Sequence, residues 1–340
     1  MTRCLELATK GLGHVAPNPM VGCVVVSDDK IIAEGFHERY GEAHAEPNAI
    51  NSADDELLKK STLYVTLEPC SHFGKTPPCA DLIIRKGIKK VVIGSLDPNP
   101  LVAGKGIQKL KEAGIEVVQG ILDKECRELN KRFFTFHEKK RPYIILKWAQ
   151  TSDGFVSRWP VPRNSEDNQV TGTESKRLVH QWRAEEQAIL IGYNTLINDN
   201  PLLTTRLAEG KNPIRLLMSR EPNFPEGLNL FNKDAKTIVF NGVKSEEEEN
   251  ITFVKVDWNA KVKEILEYCY AQQIASIIVE GGTNTIYNFM NQQLWDEARI
   301  FVNPHKTFGH GIGAPDLNRE DIAPQKTGND LLYTVMNISL

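Results

Sequence analysis

An excess of positive charge is missing from this sequence of 340 residues. Its 41 Lys and Arg residues stand against 44 Asp and Glu residues, which gives a formal net charge of −3. Without a broad positive field, the chain has no general attraction for the phosphates of nucleic acid or for an anionic membrane. A basic stripe with interleaved aromatic residues is absent as well. We therefore expect neither a nucleic-acid nor a membrane partner, although a small patch that binds one phosphate is compatible with this charge.

Long apolar runs are also missing. No run approaches the length of a membrane span, and the first residues lack the long apolar core of a signal peptide, so we expect a cytosolic protein. The 41% hydrophobic and 25% charged residues are ordinary for a globular chain, and the length favours two domains. The polar cluster 137–142 ends in Pro142, which disfavours continuation of a preceding helix. We place the domains at 1–139 and 142–340.

Cysteines are few, and disulfides are not expected in a chain of this size without an export signal. Cys23 lies in an apolar run and is interpreted as a core residue. Three others lie on predicted helices and are given no function: Cys4, Cys126 and Cys269. Cys70 and Cys79 are therefore the two cysteines for which we expect a functional role.

Helical and strand patterns alternate along both halves. In the first half we predict a helix over 1–11, a hairpin of strands 20–27 and 30–35, strands 63–67, 91–95 and 115–119, and helices that begin near residues 44, 79, 104 and 123. In the second half we predict strands 143–148, 188–191, 215–218, 237–240, 251–256, 276–279 and 298–302, and helices 173–183, 260–273 and 283–293. Such alternation predicts α/β layered domains with largely parallel sheets. The acidic run Glu246–Glu249 is interpreted as a solvated turn.

The most specific pattern is His44-Ala45-Glu46 followed by Pro69-Cys70 and then Cys79. One imidazole and two thiolates can hold one Zn²⁺ and leave a fourth position for water, as in catalytic rather than structural sites. Zinc lowers the pKa of such a water towards ~7, and Glu46 would then move its protons. Zinc deaminases of nucleobases carry His-x-Glu and Pro-Cys-x-x-Cys. Here eight residues, rather than two, separate the cysteines.

Prolines indicate how these ligands would meet. Pro47 is tolerated only in the first turn of a helix, so His44 should lie at or just before a helix start, and Pro78 should precede a helix that Cys79 opens. A helix start lowers the pKa of a thiol. With Cys70 after a strand end, the three ligands would converge at one edge of the sheet.

Other interpretations of this region stay open. A fourth ligand, for which His72 is the nearby candidate, would make the site structural, and the arrangement could also arise by chance; we interpret His72 as a loop or substrate contact. Asn18, between two prolines, is either a turn residue or an amide that binds the edge of a heterocycle. The loop 72–76 offers cationic and hydroxyl donors for a substrate phosphate.

The second half carries weaker signals. Gly281-Gly282-Thr283-Asn284 follows a predicted strand and precedes a helix, where backbone N–H groups can approach a phosphate. This turn is neither a Gly-x-Gly-x-x-Gly fingerprint nor a P-loop. Polar groups follow other strands, among them Asp153-Gly154, the run 198–201 and Ser219-Arg220, where Arg220 could pair with a ribose 2′-phosphate. The residues alone thus indicate an α/β domain with a phosphate-binding edge.

Together these motifs resemble the bifunctional riboflavin-biosynthesis deaminase/reductase family over nearly the whole chain. The first-half motifs are Pro17-Asn18-Pro19-Met20-Val21-Gly22-Cys23, Gly35-Phe36-His37, His44-Ala45-Glu46 and the run from Glu68 to Cys79, whose long loop between the cysteines is typical of the family. The second-half motifs are the run from Lys147 to Gly154, the run from Asn198 to Thr204 and Glu280-Gly281-Gly282. The resemblance implies a cytidine-deaminase-like layered domain followed by a dihydrofolate-reductase-like domain.

The resemblance also implies two consecutive reactions: zinc-dependent hydrolysis of the amine at C2 of 2,5-diamino-6-ribosylamino-4(3H)-pyrimidinone 5′-phosphate, then reduction of its ribosyl group to ribityl by NADPH. Glu46 would be the proton shuttle and Asp199 the proton donor of the reduction, while Asn18 would contact the pyrimidine. The cofactor site would contain Ala149, Thr195, Asp199, Arg220, Gly282, Thr283 and Asn284. The sugar-phosphate site would contain Lys147, Arg183, Leu203, Arg206 and Glu280.

Two departures and two competing functions remain. The chain reads Thr151-Ser152-Asp153-Gly154 where the family has Ser-Leu-Asp-Gly, and the stretch 158–169, including Asp167 and Gln169, matches poorly. One alternative is a nucleic-acid or nucleoside zinc deaminase with a C-terminal binding domain. Another is a metal-stabilised scaffold without catalysis. The sequence leaves the oligomeric state open and is compatible with a homo-oligomer.

Overall fold

Alternating apolar segments fold into two separate units, Met1–Lys140 and Arg141–Leu340. The computed structural model describes residues 1–74, 77–100, 102–158 and 166–337. None of the helices within these ranges is both long and apolar enough to cross a bilayer. Each unit is built around its own sheet and its own apolar core.

The first unit has strands that are short and rich in Val, Leu and Ile, as buried strands are. They are β1 (Gly22–Ser27), β2 (Lys30–Phe36), β3 (Thr62–Leu67), β4 (Lys90–Ser95) and β5 (Glu116–Gln119). The helices are α1 (Thr2–Thr9), α2 (Ala45–Ile50), α3 (Asp55–Leu58), α4 (Cys79–Arg85), α5 (Lys105–Glu112), α6 (Asp123–Leu129) and α7 (Lys131–Lys139).

The first sheet has the strand order β2-β1-β3-β4-β5. β3, β4 and β5 pair in parallel, whereas β1 runs in the opposite direction and pairs antiparallel with both β2 and β3. The sheet is therefore more mixed than the predicted largely parallel one. The β1–β2 pair follows from the tight turn at Asp28 and Asp29, both with positive φ, since a two-residue connection can join only antiparallel strands.

The second unit contains β6 (Tyr143–Thr151), β7 (Phe155–Arg158), β8 (Ala188–Gly192), β9 (Ile214–Met218), β10 (Thr237–Asn241), β11 (Glu246–Glu247), β12 (Ile251–Lys255), β13 (Ser276–Val279), β14 (Glu297–Asn303), β15 (Gly311–Gly313), β16 (Gln325–Thr327) and β17 (Asp330–Met336). Its α-helices are α8 (Thr173–Glu185), α9 (Tyr193–Asp199), α10 (Lys261–Ala271) and α11 (Thr283–Met290), with 3₁₀ turns at Glu166–Asn168 and Asn229–Phe231.

Within the described residues the second sheet has the order β11-β12-β10-β9-β8-β13-β6-β14-β17-β16. The strands from β12 to β14 in this order run parallel. Antiparallel pairs are found at both ends, β11 with β12 and β17 with β14 and β16. The parallel centre brings the carboxyl ends of β6, β8, β9 and β13 to one edge, where sites of open α/β sheets lie.

The apolar pattern placed most central elements correctly, and the misses have physical causes. The seven-residue helix α9 was not predicted, because it lies between a strand and a polar turn and has no amphipathic stripe of useful length. The acidic run forms the exposed edge strand β11 rather than only a turn. Strands β7, β15 and β16 were also missed, since strands of three or four residues carry little periodic signal. The seven-residue β17, which lies between β14 and β16, was missed as well.

A buried ion pair fixes the start of the second unit. Arg141 donates from Nη1 and Nη2 to the two carboxylate oxygens of Asp296, and Asp296 also accepts the backbone N–H of Ile144 at 2.9 Å. The side chains of Arg141 and Asp296 are 9% and 6% exposed, so each charge depends on the other.

We expect Asp296→Asn to lower the free energy of unfolding of the second unit by about 3 kcal/mol, because it leaves the Arg141 charge buried without its partner. Glu246→Gln, which breaks the exposed Lys244–Glu246 pair, should change it by less than about 0.5 kcal/mol. Urea unfolding of the full chain measures both. Equal effects of the two substitutions would contradict this assignment.

Candidate active sites

Three soft or borderline metal ligands meet at one edge of the first sheet. His44 Nδ1 lies 3.6 Å from Cys70 Sγ and 3.4 Å from Cys79 Sγ, and the three ligand atoms lie within 4.8 Å of one another. Among the described residues, no other group of His, Cys, Asp and Glu clusters in this way. His72 lies outside the cluster, which leaves three protein ligands, the set typical of a catalytic zinc site.

The backbone of α2 holds His44 in place. His44 is the N-cap residue of this helix, and Pro47 occupies its first turn as predicted. Helix α2 packs closely against β2 because Gly35 has no side chain: a Cβ there would lie 2.4 Å from Ala49 N and 2.6 Å from Ala45 O. The missing side chain therefore sets how near the imidazole comes to the strand ends.

A buried carboxylate that the sequence analysis gave no role holds the Cys70 segment. Glu68, 4% exposed, directly follows β3 and accepts the backbone N–H groups of Gly104, Gly106 and Ile107 at 2.9, 3.0 and 3.2 Å. These donors belong to the start of α5, where a negative charge is favourable. Glu68 thus fixes the strand end from which Cys70 projects.

The thiol groups of Cys70 and Cys79 share one proton through a hydrogen bond, and a metal ion can take the place of that proton. Cys79 opens α4, and its backbone N–H donates to Cys70 Sγ at 3.4 Å. A hydrogen bond from the Cys79 thiol lowers the pKa of Cys70 to about 4, while the same bond raises the pKa of Cys79. Because sulfur and imidazole ligands with a ready thiolate suit Zn²⁺, the residues present fit this metal.

Glu46 lies within the same cavity, two residues after His44. The cavity has a volume of about 230 Å³, and its wall includes His44, Glu46, Cys70 and His72. Glu46 is 3% exposed, and burial raises the pKa of its carboxyl to about 7. A carboxyl group with such a pKa can both take up and release a proton near neutral pH.

Asn18 faces this cavity, and His37 fixes its amide. His37 Nδ1 lies 3.0 Å from the carbonyl oxygen of Ala43 and can only donate to it, so Nε2 is an acceptor for Asn18 Nδ2 at 3.1 Å. One N–H of the Asn18 NH₂ group is thereby committed to His37, which fixes the orientation of the amide. Its carbonyl oxygen is left as an acceptor for N–H groups of a ligand.

Sequence reasoning gave no function to several further residues of the wall, among them Tyr40, Asp97, Asn99 and Phe133. They come from loops and helices far apart in sequence, so no spacing pattern could have joined them. His37 and Glu68 are exceptions, since both stood within the quoted motifs. Lys75 and Thr76, which were predicted to contact a phosphate, lie outside the described residues.

In the second unit, a cavity of about 340 Å³ lies at the carboxyl ends of the parallel strands. Its wall contains a charged group of three side chains: Arg183 donates to Glu280 through Nε at 3.1 Å and Nη2 at 2.8 Å, and Lys147 Nζ lies 3.7 Å from Glu280 Oε2. Burial opposes ionisation, yet Arg183 and Lys147 lower the pKa of Glu280 to about 2. The carboxylate therefore stays charged and holds both cations at the wall.

A larger neighbouring cavity, about 940 Å³, shares Val156, Thr195, Gly282 and Thr283 with the first one. At this junction Thr195 Oγ1 is buried and has no hydrogen-bond partner within the described residues. Gly282 has φ +47, and a Cβ on it would come 3.3 Å from that oxygen. A hydroxyl without a partner beside a bare glycine turn fits a phosphate-containing cofactor such as NADPH.

The predicted reductase residues divide between the two cavities. The smaller cavity is lined by Lys147, Ala149, Arg183, Thr195, Asp199, Leu203, Glu280, Gly282 and Thr283, and the larger by Thr195, Arg220, Gly282, Thr283 and Asn284. Arg206 is not part of either wall; its backbone N–H donates to His180 Nδ1. Gln169 from the divergent stretch lines the smaller cavity, whereas residues 159–165 lie outside the described residues.

Comparison with known proteins decides between the candidate functions. The family model of the RibD C-terminal domain matches residues 142–321, and that of the cytidine and deoxycytidylate deaminase zinc-binding region matches residues 1–95. The chain belongs to the RibD family. Its predicted fold class is confirmed, with a deaminase domain followed by a reductase domain.

Relatives match over nearly their whole length. The riboflavin biosynthesis protein RibD of Aquifex aeolicus is 42% identical over 95% of this chain and 90% of its own. A crystal structure of a diaminohydroxyphosphoribosylaminopyrimidine deaminase/5-amino-6-(5-phosphoribosylamino)uracil reductase from Thermotoga maritima is 39% identical, with a TM-score of 0.87 over 99% of this chain and 97% of that one. Acinetobacter baumannii RibD is 30% identical, with a TM-score of 0.86 over 98% and 97%.

These matches confirm that the chain is a bifunctional deaminase and reductase of riboflavin biosynthesis, and that Zn²⁺ and NADPH are its cofactors. They favour this reading over a nucleic-acid or nucleoside deaminase with a C-terminal binding domain.

We expect Cys79→Ser to lose the bound zinc, because a hydroxyl is a poor substitute for a thiolate ligand. Cys126→Ala, which removes a buried cysteine on α6 in the same unit, should keep about one zinc per chain. Elemental analysis of the purified full-length proteins distinguishes the two. Full zinc content in Cys79→Ser would exclude this residue as a ligand.

Proposed function

We propose that Met1–Lys140 hydrolyses the amine at C2 of 2,5-diamino-6-ribosylamino-4(3H)-pyrimidinone 5′-phosphate, and that Arg141–Leu340 then reduces the ribosyl group to ribityl with NADPH. The observation that carries the proposal is the cluster of His44, Cys70 and Cys79 with Glu46 in the wall of the same cavity. The joined cavities of the second unit support the second reaction.

In the first reaction His44, Cys70 and Cys79 hold the metal. Zinc bound there supplies an activated water at neutral pH. Glu46 accepts a proton from the attacking water and delivers it to a ring nitrogen. It then takes the remaining proton of the hydroxyl group added to C2 and delivers it to the departing amine. The C2–N bond breaks, a C2–O bond forms, and ammonia leaves. Burial keeps Glu46 out of bulk water, which prevents it from exchanging protons with solvent during the transfer.

Asn18 reads the pyrimidine. Because His37 holds its NH₂ group, Asn18 presents a carbonyl oxygen that accepts an N–H of the heterocycle. A site built to accept such a hydrogen bond rejects analogues that lack the donor, since its own polar group would then be buried without a partner.

Glu46→Gln should retain zinc but lose ammonia release by a factor of about 100 or more, because an amide cannot carry the proton. Reduction of supplied deaminated intermediate should continue at the normal rate. Glu38→Gln changes an exposed carboxylate outside the cavity wall and serves as the matched control. Ammonia release and NADPH absorbance are followed in parallel; normal deamination by Glu46→Gln would show that another group moves the proton.

In the second reaction Lys147, Arg183, Leu203 and Glu280 surround the sugar phosphate. Glu280 takes two of the Arg183 N–H groups and keeps the Lys147 ammonium near it. Arg183 Nη1 also donates to the carbonyl oxygen of Thr204 at 3.4 Å. The donors that are then left on both cations are available to the sugar hydroxyls and the phosphate. Arg206, exposed beside Arg183, contributes positive charge at the rim rather than within the wall.

NADPH would be held by Ala149, Thr195, Arg220, Gly282, Thr283 and Asn284, which line the two joined cavities. When bound, it would supply the hydride that C1′ of the ribose takes up as its bond to the ring oxygen breaks. The released oxygen takes a proton, for which the donor is Asp199 at the end of α9. The protein otherwise contributes position and charge.

We expect Asp199→Asn to lower the rate of reduction by about 100-fold, the lower end of what a general acid provides, with deamination unchanged. Asp321→Asn, an exposed position outside the cavity walls, is the control. Single-turnover oxidation of NADPH gives the rate. A wild-type rate in Asp199→Asn would remove this carboxyl from the mechanism.

The cytosolic location and homo-oligomeric state compatible with the sequence stay predictions.

A further inference from the structure

The wall of the larger cavity in the second unit includes Lys261, a positively charged residue that belongs to none of the motifs described above. Its charged side chains are Arg220, which follows β9, Lys261, the first residue of α10, and the exposed Glu221. Within the described residues, neither Arg220 nor Lys261 forms an ion pair with a carboxylate. By contrast, Lys244 nearby in sequence pairs with Glu246. The cavity wall thus presents two cations that protein carboxylates do not neutralise.

Trp258 fixes the position of Lys261. Lys261 Nζ donates to the carbonyl oxygen of Trp258 at 3.2 Å and lies 5.4 Å from the centre of its indole ring. A cation over an indole face is attracted to it, and the hydrogen bond uses one of the three ammonium donors. Two N–H groups of a held ammonium are left for a ligand in the cavity.

The positions of Arg220 and Lys261 along the sheet indicate which part of a dinucleotide cofactor they contact. In the proposed reaction the hydride is delivered where the substrate cavity and the cofactor cavity meet, beside Gly282 and Thr195. Lys261 begins the helix that follows β12, and β12 is four strands away from β13 in the sheet order, roughly 19 Å at the usual strand spacing. A dinucleotide whose nicotinamide lies at the junction therefore brings its adenosine end towards Arg220 and Lys261.

We propose that Lys261, held by Trp258, and Arg220 together bind the 2′-phosphate of the adenosine ribose and so select NADPH over NADH. The phosphate carries close to two negative charges and oxygens that accept from both side chains. NADH has a hydroxyl at this position and gains nothing comparable. This inference rests on the proposed cofactor site and adds a specificity-determining residue to it.

The test compares Lys261→Gln with Lys263→Gln in the full-length protein. Lys263 is on the same helix, 72% exposed, and is not part of the cavity wall. Lys261→Gln should weaken binding of adenosine 2′,5′-bisphosphate and raise KM for NADPH by about tenfold, the loss of one charge-assisted contact. KM for NADH and the rate constant of reduction should not change. Lys263→Gln should match the wild type, and Lys261→Arg should retain most of the preference.

Calorimetry with adenosine 2′,5′-bisphosphate and with ADP separates this inference from the proposed cofactor site. If the wild type binds the bisphosphate and Lys261→Gln binds it equally well, the role of Lys261 is wrong while the cofactor site stands. An equal loss for NADPH and NADH would also overturn it, because the contact would then not involve the 2′-phosphate. Failure of the wild type to bind NADPH and the bisphosphate would instead overturn the cofactor site itself.

Discussion

Parallel strand pairing is the constraint on which both active sites depend. Strands that run in the same direction end at the same edge, so the loops that follow them meet there even when they are far apart in sequence. In the first unit this applies to the segment after β3, which carries Cys70. In the second unit it joins Lys147 on β6, Glu280 after β13 and Asp199 after β8. In both units, the candidate catalytic residues therefore lie at the edge of the sheet where the parallel strands end.

Buried charge then turns these edges into rigid sites. Glu68 uses three backbone N–H groups at the start of α5 to hold the strand end before Cys70. Glu280 holds Arg183 and Lys147 in the same way in the other unit. In both places a carboxylate away from solvent is stabilised by several donors at once, which compensates for its desolvation. Each carboxylate thereby positions other groups, Glu68 the segment before Cys70 and Glu280 the two cations of the cavity wall.

Much of this could be predicted from the sequence, and the reason is local. The ligand set of His44, Cys70 and Cys79 was identified because proline positions fix two helix starts and because sulfur and imidazole have few other uses in that spacing. Apolar periodicity similarly located the central strands of both sheets. The walls of the cavities could not be predicted, since only the tertiary fold brings Asp97 and Phe133 to one wall and Trp258 and Lys261 to another. The short helix α9, which ends at Asp199, could not be predicted either. A helix this short is stabilised by tertiary packing rather than by its own sequence pattern.

Gly35 illustrates how far the demands of a metal centre reach. It offers no ligand atom, yet the lack of a side chain there allows α2 to approach β2 and so sets the distance between the imidazole and the two sulfurs. The range of amino acids tolerated at position 35 should therefore be as narrow as at a coordinating residue. Substitution of Gly35 is therefore expected to abolish deamination although His44, Cys70 and Cys79 are all still present.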